Sequence, residues 1–288
     1  MDAAAATPKT EPCQGGDRTL TLELRMLRVV AGAAASVVVC YGPQIAVIRM
    51  APRLAPAMPR FIHRVFCRAA GIEVIGVGKP ANGSTLFVAN HISWLDIPVL
   101  GSQLPASFVA KTEVGEMGIM GTLAAMQRTI YVERDARHRS GEQRDRIVER
   151  LAAGDNIILF PEGTSTSGNR VLPFKTSLFG VAEQAARYRD EAGGTCDLRI
   201  QPVTLAYTHV NDLPLSRAGR YKIAWVGEDE FAPHFRQVMR LGRIRAVLQY
   251  HAPVRLADFG SRKALAQHCH AVVAAGLRRA NSGRLQGE

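Results

Sequence analysis

The chain has 288 residues, of which 47% are hydrophobic, and its formal net charge is +11 at pH 7. This length and apolar content exclude an intrinsically disordered protein and suffice for one large core with an accessory segment. Only six of the 36 basic residues are lysines, and an excess of arginine suits bidentate contacts to the phosphates of lipids, cofactors or nucleic acids. Because aromatic residues make up only 6% and are not interleaved with a basic run, nucleic acid is not an expected partner.

The five cysteines are scattered along the chain and include no Cys-x-x-Cys pair. An odd, dispersed set favours reduced thiols in a cytoplasmic setting over a disulfide framework or a structural zinc site. The His-Cys-His run at residues 268–270 lies in a predicted helix, where side chains two positions apart do not face one another. We therefore predict no metal site.

The N-terminal part contains a polar tail and then an apolar segment. Residues 1–24 are predicted to form a disordered tail. Residues 29–48 carry only three polar side chains and are flanked by arginines, so they are just long enough to cross a membrane as a helix. The Gly42-Pro43 pair is expected to interrupt that helix. This favours a segment that lies in or dips into one leaflet, with a spanning helix and a buried soluble helix as alternatives.

A basic amphipathic stretch follows the apolar segment. Arg60, Arg64 and Arg68 are interspersed with Phe61 and Val65, a pattern that fits a helix facing lipid headgroups and equally a solvated helix packed on the domain. We assign residues 25–69 to membrane-anchoring helices and residues 70–288 to a single folded domain. If the anchor spans, its basic C-terminal flank would keep that domain on the cytoplasmic side.

Short apolar runs alternate with helical patterns from residue 70 onward. Strands are predicted at residues 72–77, 85–88, 107–110, 129–132, 156–160, 198–206, 221–226 and 246–250, and helices at 141–153, 177–188 and 262–279. This alternation predicts an α/β fold with a mixed, largely parallel sheet flanked by helices, preceded by the membrane-associated helical segment.

His91 and Asp96 follow the predicted strand at residues 85–88. A neutral imidazole can take a proton from a hydroxyl, and a carboxylate on its other nitrogen fixes the tautomer and stabilises the imidazolium. Residues five apart on one helix point about 140° away from each other, so the pair can meet only if His91 lies outside the helix. Ser93 is predicted to be the N-cap, which would leave His91 outside. The alternative is that Asp96 only caps the helix and His91 is an ordinary loop histidine.

Two later stretches also place polar groups at strand ends. Arg134 follows an apolar strand and is well placed to hold a phosphate or carboxylate, although a surface arginine is the simpler interpretation. Glu162, Gly163 and Thr164 follow the strand at 156–160. A carboxylate followed by glycine and hydroxyl groups suits the recognition of a hydroxyl, because glycine permits close approach.

Together these stretches resemble the motifs of the glycerolipid and lysophospholipid acyltransferases, the family of 1-acyl-glycerol-3-phosphate acyltransferase. Residues 90–96 (Asn-His-Ile-Ser-Trp-Leu-Asp) match the first motif, 130–134 the second, 161–164 (Pro-Glu-Gly-Thr) the third and 201–205 the fourth. The resemblance implies that His91 is the general base, that Asp96 supports it and that Arg134 helps hold the acceptor. Residues 70–288 are then the acyltransferase catalytic domain, and an acyl chain passes from a thioester to a lysolipid hydroxyl.

Two residues depart from the family pattern. Arg128 stands where a glycine is usual, which leaves the local loop geometry open. Ser165 replaces an arginine that is usual in enzymes forming phosphatidic acid, and this points to other acceptors, including lyso-ornithine lipids and lysophosphatidylcholine. Lys175, in a Phe-Lys pair that also matches the family, could supply the missing cation.

The sequence thus predicts an enzyme of membrane lipid biosynthesis on the cytoplasmic face of the inner membrane. Its partners would be membrane lipids and an acyl donor carried by acyl carrier protein or coenzyme A, with no bound cofactor. Two alternatives remain: an acyl-ester hydrolase using Ser93, although no Gly-x-Ser-x-Gly elbow is present, and a non-catalytic basic lipid-binding protein.

Overall fold

The computed structural model describes residues 16–132, 140–188, 196, 198–227 and 229–284. Its helices are α1 Gly16–Met50, α2 Ala57–Ala69, α3 Asp96–Gln103, α4 Ile119–Met126, α5 Ser140–Ala152, α6 Gly180–Arg187, α7 Arg217–Tyr221, α8 Phe231–Arg240 and α9 Arg262–Asn281. Its strands are β1 Ile72–Val77, β2 Thr85–Ala89, β3 Ser107–Lys111, β4 Ile130–Val132, β5 Ile157–Leu159, β6 Arg199–Val210, β7 Leu213–Pro214 and β8 Ile244–Tyr250.

The strands form one sheet in the order β1-β8-β6-β2-β5-β3-β4, and β7 pairs with the end of β6. Strands β6, β2, β5, β3 and β4 are parallel to one another, whereas β8 is antiparallel to β6 and parallel to β1. The predicted mixed, largely parallel sheet is therefore confirmed. Since β2 and β5 are adjacent parallel strands, residues that follow them meet at the carboxyl end of the sheet.

Helices cover both faces of this sheet and give the molecule two apolar cores. One core packs α2, α3 and α8 against one face, and the other packs α5, α6 and α9 against the opposite face. All five residues of β2 are buried, as expected for a parallel strand covered on both sides. The domain has the layered arrangement that positions ligand sites at the carboxyl ends of strands.

Most predicted strands coincide with observed strands to within a few residues, but the strand expected at residues 221–226 is wrong. Residues 217–221 are helical instead, and the N–H groups of Lys222, Ile223 and Ala224 donate to carbonyls of Gly219 and Arg220. Ile223 and Ala224 still reach the core. The apolar run is therefore explained by burial through a helical turn and not by strand pairing.

Helix α1 differs from the predictions in two ways. It begins at Gly16, so part of the tail expected over residues 1–24 is helical; residues 1–15 lie outside the described part of the chain. It also continues through Pro43 without the expected interruption, because one proline removes one N–H donor, which a long helix can tolerate. Residues 23–50 are long and apolar enough to cross a membrane by length and composition.

One face of α1 lies along the domain over most of the helix. The guanidinium of Arg25 donates to the carbonyls of Met239, Ala70 and Gly242, and the amide of Gln44 donates to those of Ala55 and Met126 at 2.8 Å each. These two anchors are 19 residues apart, which corresponds to about 28 Å of helix. Both ends of the apolar segment are therefore fixed to the same domain.

The opposite face of α1 is exposed and apolar. Large apolar side chains that are 45–82% exposed recur at helical spacing: Leu27, Val30, Val38 and Tyr41. A soluble monomer rarely exposes a continuous apolar stripe of this length. The stripe faces away from the domain and is the surface that a lipid phase would cover.

Candidate active site

The predicted pair of His91 and Asp96 forms at the carboxyl end of β2. His91 Nδ1 and Asp96 Oδ2 are 2.7 Å apart. The pair can meet because α3 begins only at Asp96, which leaves His91 in the preceding loop, as expected. Asp96 is fully buried, whereas 23% of the His91 side chain is exposed. The exposed part of the ring is thus available to a reactant and the buried carboxylate is not.

Asp96 is held by four hydrogen-bond donors. Its Oδ2 accepts from the N–H groups of Ile92 (2.6 Å) and Ser93 (3.0 Å) as well as from His91. Its Oδ1 accepts from the hydroxyl of Tyr207 at 2.8 Å. Burial and the neighbouring carboxylate raise the pKa of Tyr207 well above its usual value, so the phenol stays protonated and donates. This set of donors fixes the carboxylate as the orienting group for the imidazole.

The prediction that Ser93 caps the helix is wrong. Leu95 is the N-cap residue of α3 and makes no side-chain cap, and Ser93 Oγ is buried without a hydrogen bond to any described residue. The side chain of Asp96, in the first turn, instead accepts from the N–H groups of Ile92 and Ser93, which precede the helix. A capping serine would have accepted from N–H groups inside the first turn, so the turn is closed by Asp96 reaching back and not by Ser93 reaching forward.

The tautomer of His91 follows from its partner. A carboxylate only accepts, so His91 Nδ1 carries a proton, and in the neutral form of the ring the free lone pair is then on Nε2. Nε2 has no hydrogen-bond partner in the described ranges. The ring stacks on Phe160, with centroids 4.3 Å apart and planes inclined by 18°. Asn90, the residue before it, exchanges hydrogen bonds of 2.9 and 2.8 Å with the backbone of Leu205 in β6. The base nitrogen is therefore held in one orientation and points away from Asp96.

Glu162 lies in the same site but faces the backbone. Its two oxygens accept from the N–H of His91 at 2.8 Å and from that of Leu172 at 2.6 Å, and only 2% of the residue is exposed. Burial raises its pKa from 4.5 to about 7, against the opposing effect of the two N–H donors and His91. The carboxylate joins the His91 loop to the loop at residue 172.

The remaining predicted residues lie around an exposed rim. Gly163 adopts φ = 71°, and a Cβ atom there would lie 2.6 Å from Lys175 Nζ, so the lysine crosses directly over this glycine. Lys175 and Thr164 are exposed. Arg134 lies outside the described residues. The structure thus brings His91, Asp96, Glu162, Gly163 and Lys175 to one edge of the sheet.

Three contacts that sequence reasoning missed close the loop around His91. Thr166 donates from N–H (2.9 Å) and from Oγ1 (3.1 Å) to the His91 carbonyl. Trp225 N–H donates to the carbonyl of Ile92 at 3.0 Å, and Ser165 Oγ donates to the carbonyl of Trp225. Ser165, which replaces the family's arginine, therefore serves the loop structure. These partners are 60 or more residues apart in the chain, so no local pattern reveals them.

The arrangement holds the His91 imidazole in a fixed orientation at an accessible end of the sheet. No cluster of three or more His, Cys, Asp or Glu side chains able to hold a metal occurs among the residues searched, which are those described. Burial raises the pKa values of the thiols of Cys67 and Cys269 to about 12, which makes them poor nucleophiles. In its neutral form, His91 Nε2 is able to accept a proton from a hydroxyl that reaches this site.

Comparisons with known proteins identify relatives of this chain. Residues 71–206 match the family model described as Acyltransferase. The chain is 41% identical to the lyso-ornithine lipid O-acyltransferase of Brucella abortus (strain 2308) over 79% of this chain and 84% of that protein. It is 36% identical to the protein of the same name from Rhizobium meliloti (strain 1021), over 80% and 76% of the two chains.

Two further comparisons extend the relationship. The 1-acyl-sn-glycerol-3-phosphate acyltransferase of Neisseria gonorrhoeae is 36% identical over 43% of this chain and 51% of that protein. The crystal structure of the 1-acyl-sn-glycerophosphate (LPA) acyltransferase PlsC from Thermotoga maritima superposes with a TM-score of 0.63 at 19% identity and covers 91% of this chain and 97% of that one. At that identity the structural likeness shows the fold.

Proposed function

Because this chain belongs to the acyltransferase family and is an enzyme that acylates lysolipids, we propose that its acceptor is a lyso-ornithine lipid. Three relatives whose sequences align over three quarters or more of the chain carry that activity in their names, whereas the sequence of the 1-acyl-sn-glycerol-3-phosphate acyltransferase of Neisseria gonorrhoeae aligns over less than half of it. Ser165 supports the same acceptor, since its hydroxyl is bound to the Trp225 carbonyl and supplies no cation for a phosphate.

In the proposed mechanism His91 Nε2 removes the proton from the acceptor hydroxyl. The alkoxide that develops attacks the acyl thioester carbonyl, the carbon–sulfur bond breaks, and the imidazolium returns the proton to the leaving thiolate. Asp96, 2.7 Å from Nδ1, stabilises the imidazolium between the two transfers. The observation that carries this proposal is the fixed Nδ1–H tautomer, which leaves Nε2 as the base.

The acceptor is proposed to lie along the rim at residues 163–175. Gly163 permits close approach, Thr164 offers a hydroxyl, and Lys175 supplies a cation that suits the ornithine carboxylate. We propose Arg134 as a second cation for the acceptor. Glu162 accepts a hydrogen bond from the His91 N–H. We propose that it affects the acceptor indirectly, by fixing the position of the loop that carries His91.

The acyl donor is proposed to be a thioester of acyl carrier protein or coenzyme A, and the reaction as written needs no bound cofactor. We propose that the enzyme acts on the cytoplasmic face of the inner membrane, with α1 lying in the membrane plane. Support for this orientation comes from Arg25 and Gln44, which fix both ends of the apolar segment to one domain. A helix crossing the bilayer would instead place its two ends on opposite sides of a hydrocarbon core about 30 Å thick.

The test is acyl transfer in membranes by wild type and by His91→Ala, with a labelled acyl thioester. The acceptors are lyso-ornithine lipid, lysophosphatidic acid and lysophosphatidylcholine, offered separately. We expect transfer to lyso-ornithine lipid and a loss of roughly 10²- to 10⁴-fold in the variant, the usual contribution of general base catalysis.

Ser93→Ala is the matched control, because Ser93 is buried in the same loop and the hydrolase alternative requires its hydroxyl. We expect Ser93→Ala to keep the wild-type rate. Preferential transfer to lysophosphatidic acid would contradict the proposed acceptor, and an unaffected His91→Ala enzyme would contradict the proposed base.

A further inference from the structure

A basic cleft lies at the amino end of the parallel strands, opposite to the carboxyl end that holds His91. It has a volume of about 610 Å³ and is lined by the start of α2, the turn before it, and the residues preceding β3 and β5. Since β3 and β5 run parallel to β2, these amino ends lie a strand length, about 15 Å, from the edge that holds His91. The cleft is therefore separate from the active site.

Three arginines dominate the charge of this cleft: Arg53, Arg60 and Arg64. Arg60 and Arg64 both donate through Nε to the carbonyl of Ser102, at 3.4 and 2.9 Å. This contact holds the two guanidinium groups side by side and leaves their Nη groups free of hydrogen bonds within the described ranges. Such a pair presents several N–H donors in the planar arrangement that suits a phosphate.

The negative charge in the cleft is already neutralised. Asp155 is the one carboxylate among the lining residues, and it accepts from Arg128 at 3.1 Å and from Arg150. Both of those arginines come from outside the cleft lining. The three lining arginines are left without a carboxylate partner among the described residues, and the cleft has an unbalanced positive charge.

The rim of the cleft is apolar and adjoins the apolar helix. Leu54 and Phe61 line the cleft with 65% and 63% of their surface exposed, and Met50, the last residue of α1, is 85% exposed. Exposed apolar side chains around basic groups fit the boundary between headgroups and acyl chains, where each finds its own environment. A soluble acidic protein would leave these side chains and the stripe on α1 unexplained.

We infer that this cleft binds the phosphate headgroup of an anionic membrane phospholipid that is not a substrate. The cleft lies at the C-terminal end of α1, so a headgroup held there would fix the orientation of the domain on the bilayer. Binding would direct the enzyme to anionic regions of the membrane, in addition to the non-selective insertion of the apolar stripe. The inference rests on the membrane association of the protein and not on the identity of its acceptor.

The test compares the binding of the full-length chain to vesicles of phosphatidylcholine alone and to vesicles that also contain phosphatidylglycerol. The cleft variant is Arg53→Gln/Arg60→Gln/Arg64→Gln. Near an anionic surface each arginine contributes on the order of fivefold in affinity. We therefore expect the preference for phosphatidylglycerol to fall about 100-fold in the cleft variant at low salt, with binding to phosphatidylcholine unchanged.

The matched control removes the same charge from the opposite face of the sheet, with Arg187→Gln/Lys263→Gln/Arg278→Gln. These three exposed residues lie on α6 and α9, which pack on the face of the sheet opposite to α2 and do not line the cleft. We expect the control to change the preference by about threefold or less. Arg53→Gln alone leaves both contacts to Ser102 intact and should lower the preference about fivefold, which keeps the test valid if the triple variant misfolds.

Two results would overturn the inference. The first is an unchanged preference in the cleft variant, and the second is an equal loss in the control, which would show a general effect of net charge. If the first result came with a higher KM for acyl carrier protein thioester in neutral detergent, it would also identify an acidic protein as the occupant. Acyl transfer by the wild-type enzyme in that detergent separates this inference from the proposed function. If wild type fails to transfer an acyl group there, the proposed function is contradicted. The vesicle-binding result still decides the inference about the cleft.

Discussion

The active-site loop is held from two sides by two buried carboxylates that have different tasks. Three consecutive backbone N–H groups, those of residues 91, 92 and 93, donate to carboxylates: the first to Glu162 and the other two to Asp96. Asp96 additionally binds the His91 ring and the Tyr207 hydroxyl. Glu162 has only one further donor among the described residues, the N–H of Leu172.

The comparison shows that burial alone does not determine what a carboxylate does. Both groups are almost completely removed from solvent, but Asp96 has four donors and contacts the His91 imidazole, whereas Glu162 has two backbone donors and no hydrogen bond to the ring. Burial outweighs those two donors and raises the pKa of Glu162 to about 7. Asp96 therefore orients the ring, and Glu162 fixes the backbone with a group that titrates near neutral pH.

The sharpest way to test this comparison is Asp96→Asn. An amide offers one accepting oxygen for four donors, and its NH₂ would face His91 Nδ1 and favour the tautomer with the proton on Nε2. That tautomer cannot act as the base, so we expect kcat to fall on the order of 10³- to 10⁴-fold. The measurement is steady-state acyl transfer, with thermal unfolding recorded for each variant.

Asp155→Asn is the matched control for that experiment. Asp155 is also a largely buried carboxylate, paired with Arg128 and Arg150 at the amino end of the strands. The substitution should lower stability while kcat stays within about threefold of wild type, because Asp155 is far from His91. A decrease in kcat for Asp96→Asn no larger than that for Asp155→Asn would contradict the orienting role of Asp96.

Glu162→Gln tests the other half of the comparison through pH. The folded protein has a pKa of about 7 at Glu162, so it holds this proton over a range in which the unfolded chain has lost it. The stability from this group is therefore complete below about pH 4.5 and is lost as the pH rises through 7, a change of about 3 kcal/mol. An amide cannot titrate, so the variant should lack this component.

The measurement is the free energy of unfolding of wild type and Glu162→Gln in neutral detergent between pH 4.5 and 8.5. We expect wild type to lose about 3 kcal/mol relative to the variant across that range. The variant should also be less stable at pH 4.5 by about 1 kcal/mol, the low end of the cost of a poorly matched buried donor. Parallel pH curves for the two proteins would show that Glu162 is not the titrating group.

The parts of the site that could be predicted from sequence are those formed by residues close together in the chain. The strand end before His91, its position outside the helix and its pairing with Asp96 all follow from residues 85–96, which lie within one short segment. Sequence placed Glu162 and Gly163 at the end of β5 for the same reason. A serine followed three residues later by an acid predicts two reciprocal bonds, but only the one from the Ser93 N–H to Asp96 forms, and Ser93 Oγ is left without a partner among the described residues.

Other features depended on contacts far apart in the chain. Pro43 is expected from sequence to interrupt α1, but the helix continues through it. Arg25 and Gln44 fix both ends of the apolar segment to the domain, and this tertiary packing outweighs the local cost of one proline. Arg128, where a glycine is usual, adopts φ = 57°; its carbonyl accepts from Arg150 at 3.1 Å and its guanidinium pairs with Asp155. These contacts hold it in a conformation that ordinary residues rarely adopt.

Tyr207 is the residue that sequence reasoning could not find, and its substitution is expected to lower kcat much less than Asp96→Asn does. It is 111 residues from Asp96 and lies just beyond the strand predicted at residues 198–206. In Tyr207→Phe, Asp96 loses one of four donors while its contact with His91 remains. A hydrogen bond to a charged group contributes about 1.5–3 kcal/mol, so we expect a stability loss of that size and a kcat about tenfold lower at most.

The relation between kcat and stability distinguishes a positioning role of Tyr207 from a purely structural one. If Tyr207 positions the base, kcat falls in Tyr207→Phe even at temperatures where the variant is fully folded, because Asp96 then holds His91 less firmly. Tyr250→Phe, a change at a half-buried tyrosine of β8, should leave kcat unchanged under the same conditions. If both variants lose stability and neither lowers kcat, Tyr207 supports the fold and takes no part in orienting the base.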